Sequence, residues 1–172
     1  MPASPRLMRC LSPVALRRNL RRLLDIEQVD EGCWTIHLVG DRVMKQVHER
    51  TLRDSSTTDV ITLDYRTRGA KGGRRAALDL ESFVCVAEAR RQAKRRGHSP
   101  EHELLLYLVH SLLHVQGYDD RTAPAAQRMH RREDYILVAL GIGPVYARPT
   151  AVGKSRRLPK HRTGKARTSG RR

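Results

Sequence analysis

The residues with the clearest chemistry lie in VHSLLHVQGYDD, residues 109–120, where His110 and His114 precede a glycine and a pair of aspartates. On a helix, positions i and i+4 project from one face a turn apart, so two neutral imidazoles at this spacing can reach one metal ion. Taken alone, the pair has a simpler explanation as core histidines bonded to backbone carbonyls. The surrounding LLLYLVHSLLHV is apolar almost all round and belongs in an interior. The residues after the pair point the other way. Gly117 ends the helix and lets the chain reverse, so that Asp120, six residues beyond His114, returns beside the imidazoles. Two histidines and a carboxylate, with a fourth position left for water, make a catalytic rather than a structural zinc site. Position 111 is Ser, where the HExxH pattern of zinc peptidases carries its glutamate base, so peptide hydrolysis is disfavoured.

The elements that must hold these groups can be read from periodicity. Leu16, Leu20, Leu23 and Leu24 recur at helical spacing and predict a first helix over 14–28. That pattern argues against reading the Arg-rich, acid-free start of the chain as an organellar presequence. CWTIHLVGD (33–41) alternates as a strand, with Trp34, Ile36 and Leu38 on one face, and Asp41 can cap a helix running to about Leu52. DVITLDY (59–65) and SFVCVA (82–87) read as two more strands, and EARRQAKRRG as a polar helix stopped by Gly97. Ser99 as N-cap and Pro100 at the first helical position start the apolar helix, Glu101 to about Gln116, which carries both histidines. A last helix spans about 123–140. No regular βαβ alternation is present, so the expected class is α+β: a small mixed sheet packed by about five helices.

Composition narrows the function classes. The chain has 172 residues, enough for one domain with a real core. No apolar run approaches a membrane span, so a soluble protein is expected. Cys10, Cys33 and Cys85 are odd in number and form no CxxC pair, which fits a reducing compartment and argues against both a disulfide scaffold and a thiolate zinc cluster. The net charge of +16 belongs to the ends: residues 148–172 hold ten Lys/Arg and no acid, and residues 1–24 hold six more and no acid. Between them, eighteen basic residues face eighteen acidic ones. The Gly-, Ser- and Pro-containing tail at 148–172 reads as a disordered basic segment whose natural partner is a polyanion.

VHSLLHVQGYDD resembles the V-H-G-x-L-H-L-x-G-Y-D-H signature of the YbeY family, bacterial endoribonucleases of ribosomal RNA maturation. HERTLRDSSTTDVITLDY (48–65) resembles that family's other marked segment. The spacing between the two, the strand SFVCVA and Glu103 seven residues before His110 agree with its layout. The resemblance covers residues 14–141 and implies a zincin-like metal-dependent hydrolase fold. It further implies one zinc ion, or another divalent transition metal, on His110, His114 and Asp120. The implied activity is hydrolysis of single-stranded RNA in rRNA maturation and ribosome quality control, in the cytoplasm and away from membranes. Ribosomal RNA and the ribosome or its small-subunit precursors are the implied partners. The competing expectation is a ribosome-associated assembly factor whose metal is structural.

Departures from the family pattern sharpen these expectations. The usual third ligand is histidine where this chain has Asp120, which still binds zinc but weakens the ion's pull on water and suits harder ions such as manganese. Asp119 is the competing carboxylate, and the six-residue spacing from His114 favours Asp120. The usual glycine after the first histidine is Ser111, and a glycine often found before the third strand is Leu80. An arginine of the RNA cleft falls on Leu52, with Arg53 next to it. Arg53, Thr58, Asp59, Arg74 and Arg75 are therefore the candidate RNA-binding residues, the last two within the basic glycine loop Arg66–Arg75. Thr58 and Asp59 have an alternative role in capping the strand next to them.

Overall fold

The computed structural model describes residues 13–52, 58–66 and 77–146. Within these residues five helices and three strands succeed one another in the order α1 (Pro13–Ile26), β1 (Gly32–Val39), α2 (Asp41–Leu52), β2 (Val60–Asp64), β3 (Leu78–Cys85), α3 (Val86–Arg96), α4 (Pro100–Val115) and α5 (Ala123–Ala139). β3 is the central strand, parallel to β1 and antiparallel to β2. The class is α+β with a small mixed sheet, as the sequence patterns require. No helix among the described residues is long and apolar enough to cross a membrane.

The sheet is covered on both faces, and the alternation of β3 shows how. Leu78, Leu80 and Val84 join the large core with Trp34, Ile36 and Leu38 of β1, against α4, α1 and α5. Phe83 and Cys85 point to the opposite face, where Met44, Val43 and Val47 of α2 close over Val39 and Ile61. α4 is the central helix of the molecule: seven of its leucine, valine and tyrosine side chains between Leu104 and Leu113 are at most 2 % exposed, and Tyr107 is 4 % exposed. Burial of each large apolar side chain stabilises by about 1.5–3 kcal/mol, so the helix carrying the histidines is among the least displaceable parts of the fold.

Local signals set the ends of α4. Ser99 accepts the backbone N–H of His102, Pro100 occupies the first turn, and Glu101 and Glu103 sit near the positive end of the helix dipole. At the other end Gly117 takes a φ of +95°, with Tyr118 N donating to Leu113 O and Gly117 N donating to His114 O, both at 3.0 Å. This is a Schellman turn, which requires a left-handed residue and turns the chain back along the helix.

Three element boundaries differ notably from the sequence reading. β3 begins at Leu78 rather than at 82 and ends at Cys85, because Leu78 and Leu80 are needed in the core beside β1. Val86, read as strand on β propensity, instead opens α3, where Val86, Ala89 and Ala93 make the buried stripe. α1 stops at Ile26, before the predicted end at 28, because Gln28 adopts a φ of 55° and turns the chain toward β1.

Candidate metal centre

His110 and His114 lie on the same face near the end of α4, and the Schellman turn carries Tyr118 to Asp120 back past them. Their Nε2 atoms are 3.0 Å apart. Asp120 Oδ2 stands 3.8 Å from the first and 3.7 Å from the second. The circle through these three atoms has a radius of about 2.0 Å, which matches zinc–nitrogen and zinc–oxygen bond lengths.

The hydrogen bonds of the rings supply an independent test of whether an ion fits. His114 Nδ1 lies 3.0 Å from the carbonyl oxygen of Tyr118, and His110 Nδ1 lies 2.8 Å from Glu133 Oε1. Neither oxygen can donate, so each Nδ1 carries the proton. In the neutral rings, two Nε2 lone pairs then face each other at 3.0 Å with nothing to share, a geometry that calls for a cation between them. Burial pushes the His110 imidazole toward its neutral form, but the Glu133 hydrogen bond and the charges of Glu133, Asp59 and Asp120 outweigh it and raise its pKa. The local field therefore favours positive charge at this point.

Glu133 was not among the residues singled out by sequence pattern. It comes from α5, is fully buried, and fixes the tautomer of His110 from behind. The available signal was an acid at the centre of the apolar stripe Met129, Glu133, Leu137, all of them fully buried; a charge in such a place needs a partner. Asp119, the rival of Asp120, is engaged elsewhere: the Arg121 guanidinium binds it at 2.9 Å and holds its carboxyl down to about 2.

A cleft of about 470 Å³ opens beside the imidazoles, lined by Thr58, Asp59, Thr62, Asp64, His110, Ser111 and His114 among others. The structure thus brings Thr58 and Asp59 to the site, and it also gives them the capping role: Asp59 Oδ1 accepts Val60 N at 2.8 Å and the Thr58 hydroxyl at 3.1 Å. Arg53, Arg74 and Arg75 lie outside the described residues.

Ser111, where the family motif has glycine, has a defined use. Trp34 Nε1 donates to Ser82 Oγ at 2.8 Å, Ser82 and Thr62 share a 2.8 Å bond, and Thr62 Oγ1 donates to Ser111 Oγ at 2.9 Å. Because Thr62 spends its one hydroxyl proton on Ser111, Ser82 donates to Thr62 and the proton order runs from Trp34 to Ser111, tying all three strands to α4 beneath the cleft. Arg66, the first residue of the basic glycine loop, is a structural residue. It is 7 % exposed, grips Asp64 with two bonds of 2.9 Å, and donates to the carbonyl of Val115 at the end of α4.

Comparison with known proteins shows the family and the fold. The sequence model of the family described as endoribonuclease YbeY matches residues 13–141. An endoribonuclease YbeY of Chlamydia muridarum is 30% identical over 137 residues, covering 79% of this chain and 84% of the relative. The protein of that name from Moorella thermoacetica is 30% identical over 139 residues, covering 74% of this chain and 88% of the relative. A solution structure of a Thermotoga maritima protein superposes with a TM-score of 0.51 at 17% identity, over 88% of this chain and 95% of that one, and shares the fold. With the family's model matched from α1 to the end of α5, and relatives aligned over most of their own length, this chain belongs to the YbeY endoribonuclease family.

Proposed function

We propose that this chain is a single-strand-specific, metal-dependent endoribonuclease of ribosomal RNA maturation, with one zinc or other divalent ion held by His110, His114 and Asp120. The observation that carries the reading is the triangle of Nε2, Nε2 and Oδ2 atoms at the mouth of a solvent-open cleft. Family membership supports RNA as the substrate. When bound there, a divalent ion supplies Lewis acidity, lowering the pKa of water on its open side and drawing charge from a phosphoryl oxygen.

The protein's own residues do the remainder. Glu133 and the Tyr118 carbonyl hold the imidazoles in the tautomer that leaves both Nε2 atoms free to ligate. Asp120 makes the ligand set anionic, which suits a harder ion than three histidines would. Thr58 and Thr62 spend their hydroxyl protons on Asp59 and Ser111, which leaves the Ser111 hydroxyl as the neutral donor for a phosphate oxygen in the cleft. The cytoplasm is the expected compartment, and ribosomal RNA, the ribosome or its small-subunit precursors are the expected partners. The ten basic residues of 148–172 add affinity for polyanions; removing them is expected to weaken RNA binding and flatten its salt dependence without changing metal content.

The direct test measures bound metal and cleavage of single-stranded ribosomal RNA for the wild type, His114→Ala and Asp120→Ala. Metal and cleavage in the wild type, both lost in His114→Ala, support the proposal. A wild type that neither retains nor takes up a divalent ion would overturn it. Metal without cleavage in any variant would instead favour an assembly factor with a structural ion.

A further inference from the structure

A second cleft, of about 340 Å³, adjoins the metal cleft and has no part in the metal chemistry. It is lined by Thr58, Asp59, Glu88, Gln92, Arg96, Glu103 and Tyr107. Thr58 and Asp59 line both clefts, so the two meet under one rim. Their common floor is α4. At 3.6 residues per turn, Glu103, Tyr107, His110, Ser111 and His114 fall within an arc of about 100° on that helix, and the span from Glu103 to His114 is about 16 Å. The other wall is the polar stripe Glu88, Gln92 and Arg96 of α3, spaced four residues apart.

Buried polar atoms in this second cleft lack partners. Tyr107 is 4 % exposed, and its hydroxyl makes no hydrogen bond of good geometry among the described residues; Glu103 is fully buried, and its Oε2 makes none either. Burial and the nearby Glu103 carboxylate raise the pKa of the Tyr107 phenol, so the hydroxyl keeps its proton. Glu103 Oε2 stands 3.1 Å from His98 Nε2, out of line for a hydrogen bond. Native interiors rarely leave such groups unpaired, and here two of them sit in the lining of a cleft of ligand size.

The remaining functional groups define what would fit. Arg96 uses one nitrogen on Glu103 Oε1 at 2.8 Å, leaving other N–H donors. Gln92 turns its amide nitrogen to Glu88 at 2.7 Å, which leaves its carbonyl oxygen as an acceptor. Glu88 is occupied by Gln92 and Arg91. The cleft therefore offers two acceptors, Glu103 Oε2 and the Gln92 carbonyl, beside a guanidinium donor and the Tyr107 phenol, which has the Glu103 carboxylate near it but no bond of good geometry.

We propose that this second cleft is a nucleobase subsite, that it takes the unpaired base of a nucleotide adjacent to the phosphate at the metal centre, and that it prefers guanine. Guanine presents two neighbouring donors, N1–H and the N2 amino group, to the acceptors, and its O6 to the Arg96 guanidinium and the Tyr107 hydroxyl. The other bases lack this run of two donors and an acceptor. A base can enter only when splayed out of a helix, which is how single-stranded RNA is read. The inference rests on the endoribonuclease reading for its substrate, but its binding chemistry can be tested apart from cleavage.

The first arm measures binding of the 5′-monophosphates of guanosine, adenosine, cytidine and uridine to the full chain by NMR titration; their shared phosphate cancels in the comparison. GMP is expected to bind at least fivefold tighter than the other three, with shifts at Gln92, Arg96 and Tyr107. Tyr107→Phe, which keeps the ring in the core, and Gln92→Leu are each expected to bring the four within twofold while metal content is unchanged. The second arm places one guanosine at successive positions in an otherwise uniform single-stranded RNA, and the cut is expected to track it. Four nucleotides binding equally, or guanine preference surviving in both variants, overturns the subsite. Absence of all RNA cleavage in the metal-loaded wild type counts against the endoribonuclease reading alone, since the mononucleotide arm still decides the subsite.

Discussion

At the C-terminal end of α4, His110 and His114 each give Nδ1 to a fixed acceptor, one to Glu133 and one to the Tyr118 carbonyl. Earlier on the same face, Tyr107 one turn before His110 and Glu103 one turn before that are more deeply buried, yet Glu103 Oε2 and the Tyr107 hydroxyl make no hydrogen bond of good geometry among the described residues. The two ends share a helix, a stripe and the rim formed by Thr58 and Asp59. They differ in what the rest of the fold brings to them. A Schellman turn and α5 converge on the histidines and leave only their outward lone pairs free. At the other end α3 supplies Arg96, whose contact satisfies one carboxylate oxygen of Glu103. One end is therefore organised around a single point, as an ion requires, and the other presents scattered donors and acceptors, as a flat heterocycle requires.

The comparison breaks most completely at the ligands. Replacing His110 or His114 by alanine is expected to lower metal affinity by more than about 100-fold, beyond the 10–100-fold typical of outer partners, measured as bound metal per chain after dialysis. Retained stoichiometric metal in either variant would remove the basis of the contrast. Next comes Glu133→Gln, which keeps size but removes the charge behind His110. Calorimetric metal titration should show an affinity loss of about 10–100-fold, and an unchanged affinity would mean that Glu133 serves the core alone.

Asp120→His sharpens the same end by a change of ligand type. Zinc should gain over manganese by roughly tenfold in competition, since an imidazole is the softer donor; no change would indicate that residue 120 does not ligate.

The smallest effects compare the two caps of α4. Gly117→Ala meets a φ of +95° and Ser99→Ala loses an N-cap acceptor; each should cost about 1 kcal/mol. Thermal unfolding would register both as a loss of a few degrees. Only Gly117→Ala should also weaken metal binding, because its turn positions Asp120 and the Tyr118 carbonyl. Equal metal affinity in the two variants would detach the turn from the site.

Much of this organisation is legible in residue types alone. Ser99, Pro100 and Gly117 act through their own backbone neighbours, so the bounds of α4 can be read without its tertiary contacts. The i, i+4 histidines and the carboxylate after a glycine turn are also local, and the structure brings all three together. Charge alone does not say what a basic residue faces, as Arg66 shows. Its guanidinium is spent on Asp64 and on the end of α4, and whether an arginine faces solvent or a carboxylate depends on the chain packed over it. Val86 shows the same limit for backbone state: β propensity suggested a strand, but burial of Val86, Ala89 and Ala93 together needs a helix.

The sequence by itself determined most of the periodic elements, the α+β class and the meeting of His110, His114 and Asp120, because these depend chiefly on residues within a turn or two of one another. Only the tertiary structure decided which buried acid faces which group. Glu133 meets His110 across 23 positions and Thr62 meets Ser111 across 49. It also decided that Thr58 and Asp59 would form the rim between two clefts. Those contacts join elements distant in the chain, and local residue type carries no record of which side chain a packed helix will meet.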